Sequence, residues 1–211
     1  IPVTAAPAGW CDQMARMWPV DGVIGENGGF FFRRHDAGHG IERHFWHSDD
    51  DRPAVSKRLE EIGRQVQRAV PSASFADDQP FRLTSLAFEQ PKDAEVRAAI
   101  LNALCDASAD ATVNNLWVLG WLGKYDKLAM ARRVLLEHYD LDIDADRSAV
   151  LYTGDSTNDA PMFSFFPHTV GVSTVTDYLD QLPQSPRWIT RGPGGAGFVE
   201  AVNAVIVSRK S

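Results

Sequence analysis

The chain has 211 residues, 44% of them hydrophobic and 23% charged, with a formal net charge of −7; that is length for one large domain or two small ones around a real core, with the composition of an ordinary globular protein. It carries no basic stripe and no apolar run near the roughly 20 residues a membrane span needs, so neither nucleic acid nor a membrane is an expected partner. The two cysteines, Cys11 and Cys105, exclude a disulfide framework and point to a reducing, cytoplasmic setting, and an acidic surface repels phosphorylated ligands at long range, so a phosphate site would need local cations.

In chain order, "IPVT" (1–4) reads as a short apolar strand. "AGWCDQMARMW" (8–18) reads as a helix with Trp10, Met14 and Met17 at helical spacing, and "GVIG" (22–25) as a strand stopped by "ENGG". "GFFFRR" and "IERHFWH" flank "HDAGHG" as a hairpin with a Gly-rich turn. Residues 52–70 are an amphipathic helix presenting Leu59, Ile62, Val66 and Val70. "FRLTSLAF" (81–88) is a strand, "DAEVRAAILNALCDA" (93–107) a helix, and "TVNNLWVLGWL" (112–122) a single strand. From about residue 123 strands and helices alternate: a helix over 125–139, a strand at "SAVLYT", a short helix at "NDAPMFSFF", a strand at "TVGVS", a helix at "TDYLDQL", a strand at "RWIT" and a last helix at "GFVEAVNAVIV".

This alternation predicts an α/β fold with a Rossmann-like parallel sheet covered by helices on both faces. The middle section fits a small α+β module inserted into it. The expected domains are a discontinuous core, 1–28 and 123–211, and a cap over 29–122. Open α/β sheets bind ligands at the carboxyl ends of their strands, so a lid-like insert above that edge would cover the site.

Four features carry chemistry. "GDSTNDAPMF" (154–163) sets Asp155 at a strand end and Asp159 one helical turn later, with Asn158 beside it. Carboxylates and an amide carbonyl are hard oxygen donors suited to Mg²⁺, although the same residues would also serve as a helix N-cap. Thr4 ends the first strand before a helix, where a hydroxyl and backbone N–H groups suit a phosphate oxygen or a simple cap. Lys127 opens a helix and would act as a point charge on a phosphoryl group; Lys124 competes with it, and periodicity does not choose. Glu26 and Asn27 lie where the chain enters the insert, to contact a substrate or to form the turn.

In this order, Thr at a strand end, an insert, Lys at a helix start and then "GDSTNDAPMF", the chain resembles the haloacid dehalogenase-like hydrolase superfamily. "DGVIGENGGFFF" resembles its Cof-type phosphatase branch (subfamily IIB), which has an α/β cap between the second and third motifs. The resemblance spans nearly the whole chain and implies a Mg²⁺-dependent phosphohydrolase of small phosphorylated metabolites, with sugar phosphates the expected class. It implies that Thr4 and Lys127 bind the phosphoryl group and that Asp155 and Asp159 bind or position Mg²⁺, with Asn158 supporting. Phosphoryl transfer is mainly positioning and charge stabilisation, so these are the parts such chemistry requires.

Two departures qualify it. The family's first motif, D-x-D, supplies the nucleophile that forms an aspartyl-phosphate, and only Ile1, Pro2 and Val3 precede Thr4. The expectation is an upstream strand carrying that Asp, with this chain inactive on its own. The second motif reads Thr4-Ala5-Ala6 where the family often has Thr-Gly-Arg. "DLDIDAD" (140–146) reads as a solvated loop. His35, His39, His44 and His47 near the hairpin read as a surface tract before a metal site, and "RGPGGAG" (191–197) as a plain connection before an anion cradle. Trp117 and Trp121, with Asn114 and Asn115, would face a substrate or the core. The rival readings are a phosphosugar mutase of the same fold and a binding module without the nucleophile; a monomer or homodimer is expected.

Overall fold

In the computed structural model, which describes residues 1–35, 40–114 and 116–208, the chain divides into two units, Ile1–Val134 and Leu135–Ser211. The first begins with a single parallel bridge from Val3 to Ile24 where a strand was expected. Pro7 then starts α1 (Ala8–Met17), its carbonyl accepting from the N–H groups of Trp10 and Cys11. Strands β1 (Val23–Gly25), β2 (Phe30–Arg34) and β3 (Ile41–Phe45) form an antiparallel sheet in that order, with Ile24 opposite Phe31 and Phe31 opposite His44. The expected boundary at 28/29 falls in the turn between β1 and β2.

Helix α1 is where periodicity predicts, but of the predicted stripe only Met14 packs against the core. The helix buries Ala8, Cys11 and Ala15, while Trp10 and Met17 are 63% and 71% exposed. The small side chains let the helix axis approach the sheet, where they meet Val23, Phe30 and Phe32. Burial of each of these phenylalanines is worth about 1.5–3 kcal/mol.

Helix α2 (Arg52–Ala69) and α3 (Ala94–Asp106) cover a second antiparallel sheet of β4 (Ser85–Glu89), β5 (Asp110–Val113) and β6 (Trp117–Trp121), ordered β4-β6-β5. Leu59, Ile62 and Val66 of α2 pack with Ile100 and Leu104 of α3 onto Leu86, Phe88 and Val118, the face the sequence predicts for α2. The single strand predicted over 112–122 is instead the hairpin β5–β6. Asn114 makes its turn by accepting from the amides of Leu116 and Trp117 at 2.9 and 2.8 Å, the side-chain turn that competes with an extended run.

Helix α4 (Lys127–Tyr139) follows. The second unit holds β7 (Leu151–Gly154), α5 (Ala160–Phe165), β8 (His168–Gly171), β9 (Trp188–Ile189) and α6 (Gly194–Ser208), with β7-β8-β9 a parallel sheet. Tyr152, Phe163, Phe166, Val170, Val172 and Val175 are buried there. The helix expected at "TDYLDQL" is a 3₁₀ segment, Ser173–Gln181. The class is the mixed α/β arrangement, parallel sheet and helices, that the alternation predicts. Among the described residues no helix is long and apolar enough to cross a membrane.

Candidate functional site

In the first unit the backbone around Thr4 is pinned on both sides. Its N–H donates to Ile24 at 2.9 Å, its carbonyl accepts from Asn27 at 3.0 Å, and its hydroxyl accepts from the amide of Ala6 at 3.1 Å. That hydroxyl keeps its own proton to donate, and Thr4 is only half-buried. Ala5 and Ala6 are buried, Ala5 beside Ala87, Leu119 and Tyr125, and Ala6 beside Cys11 and Phe30. Their methyl groups therefore serve the core, and neither takes the left-handed backbone that would demand glycine.

The turn Glu26–Gly28 meets both Thr4 and the start of α4. Glu26 and Asn27 are left-handed, with φ of 46° and 59°, a conformation that costs a residue with a side chain about 1–3 kcal/mol. Gly28, at φ 113°, is required: a Cβ there would lie 2.4 Å from the carbonyl oxygen of Asp126. Asp126 caps α4 by accepting from the amide of Ala129 at 2.7 Å. Lys127, next in the chain, is only 5% exposed, whereas Lys124 is exposed in a left-handed turn. Burial separates these two lysines where periodicity did not.

Glu26 is 1% exposed and meets five internal donors. Oε1 accepts from the amides of Ala8 (3.0 Å) and Leu83 (2.9 Å), and Oε2 from the amide and hydroxyl of Thr84 and the hydroxyl of Ser85, each at 2.8 Å. The first N–H of α1, which the sequence reading offers to a phosphate, is thus held by a carboxylate of the protein itself. Asn27 is also buried.

In the second unit "GDSTNDAPMF" runs from the end of β7 through a loop into α5. Asp159 is buried and folds back over Gly154, where a Cβ would sit 2.6 Å from its Oδ2. Oδ2 accepts from the amides of Asp155 (2.8 Å) and Ser156 (3.1 Å), and Oδ1 from the Tyr152 hydroxyl at 2.6 Å. Burial, then the charge of Asp159, raise the Tyr152 hydroxyl well above its ordinary range, so it stays a donor. Ser156 and Asp159 complete a capping box, and the Ser156 hydroxyl donates to the side-chain oxygen of Asn158. Asp155 is left exposed at the carboxyl end of a parallel strand. The two carboxylates are therefore unequal: Asp159 orders the loop and Asp155 faces outward.

Among the described residues no group of three or more His, Cys, Asp or Glu side chains is arranged to hold a metal. The donor set at the loop still suits Mg²⁺ in part, since that ion keeps several waters and takes one or two protein carboxylates; Asp155 offers one, with the Asn158 amide near it in sequence.

The remaining candidates are accounted for locally. Glu200 accepts from the amides of Arg191 (3.0 Å) and Gly192 (3.2 Å), so a carboxylate fills the "RGPGGAG" loop. Asp142 and Asp146 cap their own loop through the amides of Asp144 (2.9 Å) and Ser148 (3.0 Å). His35 and His44 each lie 3.6 Å from Glu42, and His47 bonds the carbonyl of Leu122 at 2.7 Å; His39 and Asn115 fall outside the described residues. Trp121 is buried, its indole N–H donating to Tyr125, and Trp117 lies under the guanidinium of Arg82. Sequence reasoning missed Arg82 and Tyr152, whose signal is only that a long polar side chain sits within a strand or just ahead of one.

No family model matches the chain, and no curated protein matches it in sequence. Solved structures do. A Thermoplasma acidophilum protein matches with a TM-score of 0.68 at 19% identity, over 96% of this chain and 80% of its own. A Streptococcus mutans protein matches with 0.69 at 13%, over 97% and 85%. The sucrose-phosphatase of Synechocystis, solved with sucrose and phosphate, matches with 0.62 at 15%, over 93% and 78%. Identities this low establish common architecture and nothing finer: the chain has the α/β fold of these three proteins.

Proposed function

We propose that this chain belongs to a phosphohydrolase of small phosphorylated metabolites, sugar phosphates being the expected class, built in the manner of the haloacid dehalogenase-like phosphatases. The observation that carries the reading is the loop after β7, where a buried, fully bonded Asp159 holds the backbone of an exposed Asp155 at a strand's carboxyl end. The fold shared with a sucrose-phosphatase supports it. So does the order of Thr4, Lys127 and this loop along the chain.

In this reading the Thr4 hydroxyl donates to a phosphoryl oxygen while its lone pair is held by Ala6. Lys127 contributes positive charge against an overall negative surface. Asp155, with Asn158 in support, would hold Mg²⁺, which supplies positive charge when bound. Asp159 positions Asp155. In the resemblance the attacking carboxylate is an aspartate ahead of Thr4, and the proposed domain division is a core, 1–28 and 123–211, with an insert over 29–122.

The test is phosphate release by the natural full-length protein from a panel of sugar phosphates and other phosphoesters, with Mg²⁺ titrated by calorimetry in parallel. Release that depends on Mg²⁺, and a fall of about a hundredfold or more in Asp155→Asn together with weakened Mg²⁺ binding, are expected. No release from any ester overturns the phosphatase reading, and unchanged Mg²⁺ binding in Asp155→Asn overturns the metal assignment.

A further inference from the structure

The bonds of Glu26 join stretches of chain that are far apart in sequence. Its carboxylate ties Ala8, at the start of α1, to Leu83, Thr84 and Ser85, which lie 57 to 59 residues beyond it. A buried cation makes a second tie. Arg82, whose side chain is fully buried, is gripped by Asp78 through two bonds of 3.0 and 2.8 Å and donates Nη1 to the carbonyl of Ala5 at 3.0 Å. Ala5 directly follows Thr4.

Ser85 links the two ties, accepting from Arg82 at 3.4 Å and donating to Glu26 at 2.8 Å. Tyr125 adds a hydroxyl bond to the carbonyl of Thr84 at 3.0 Å. The Thr4–Ala8 turn is therefore held at one end by the guanidinium of residue 82 and at the other by a carboxylate shared with residues 83–85. Glu26, Thr84, Ser85, Tyr125 and the Arg82 side chain are buried, where bonds to charge are strongest and an unmet donor is most costly.

We propose that Glu26 is a positioning residue for the Thr4 turn. By clasping Ala8 to residues 83–85 it holds the Thr4 hydroxyl and the start of β4 in one geometry, so this part of the insert is carried with the turn and does not swing over it as a lid. The phosphate consequence rests on the reading of Thr4 as a phosphoryl ligand; the clasp itself does not.

The experiment compares the wild-type protein with Glu26→Gln and Thr84→Val, using inorganic phosphate as the probe in calorimetry and amide hydrogen exchange as the structural readout. In Glu26→Gln, faster exchange confined to residues 5–8 and 82–85, with α2 and α3 unchanged, is expected. A rise of about tenfold in the phosphate dissociation constant should accompany it, the scale of one lost charge-assisted bond. Thr84→Val, which removes one donor of the clasp, should show a smaller change in the same places.

Unchanged exchange at Ala8, Leu83 and Thr84 overturns the proposal. So does a uniform rise across the first unit, which would make Glu26 a general stability element, and so does unaltered phosphate affinity in a loosened turn. If Glu26→Gln does not fold, Thr84→Val decides by the same exchange pattern. Absence of phosphate binding in the wild type overturns the reading of Thr4, and the clasp is then judged on exchange alone.

Discussion

Three carboxylates of the protein bond amides at loop or helix starts. Glu26 takes the first amide of α1, Asp159 the amides of Asp155 and Ser156, and Glu200 those of Arg191 and Gly192. Each satisfies N–H groups at a loop or helix start, the property that makes such places anion sites. The negative charge of Glu26 reaches further, to Cys11. Burial first, and then the Glu26 charge, push the Cys11 thiol up to about 12, with Arg82 opposing. An unfolded cysteine titrates near about 8.5, so the folded state holds this proton more tightly. The resulting stability is complete below the unfolded value and is lost as pH rises from there toward the folded one. The wild-type denaturation midpoint should fall over that alkaline window, and Cys11→Ser should flatten the fall; equal slopes would remove this cause. In native protein at neutral pH a thiol reagent should modify the exposed Cys105 and spare Cys11 until unfolding.

At the scale of elements, spacing located the helices better than it chose their faces. Of the apolar stripe Trp10, Met14 and Met17 only Met14 packs on the core, and α1 docks mainly through Ala8, Cys11 and Ala15, because small side chains allow close approach to β1 and β2. Ala15→Leu should therefore overpack the contact and cost about 1–3 kcal/mol, while Met17→Gln should stay within about 0.5 kcal/mol. Urea denaturation of the two variants checks this, and the reverse ranking would contradict the buried face. Helix α2 behaved otherwise: Leu59, Ile62 and Val66 are both its periodic stripe and its buried one, since a helix this polar elsewhere has one apolar side to bury. The hairpin β5–β6 was read as one strand because its turn lacks glycine and proline; the side chain of Asn114 makes it.

For the whole molecule, alternation of strands and helices was enough to read the α/β class, and the parallel β7-β8-β9 sheet bears it out. Contacts separate Ile1–Val134 from Leu135–Ser211, a boundary within α4, where no linker composition marks the sequence. Units with separate cores should open separately. Native-state hydrogen exchange in increasing denaturant should thus resolve two sets of amides, one on each side of residue 134, and a single merged isotherm for all of them would contradict it. By itself the sequence determined what short windows encode: most of the helices, most strands, and an acid, Asp155, directly after a strand. Only the tertiary structure decided which donors the buried acids meet, which lysine is buried and which face of α1 is covered. Those outcomes depend on partners tens of residues away, as with Glu26 and Thr84, 58 positions apart, and no local pattern carries a contact of that range.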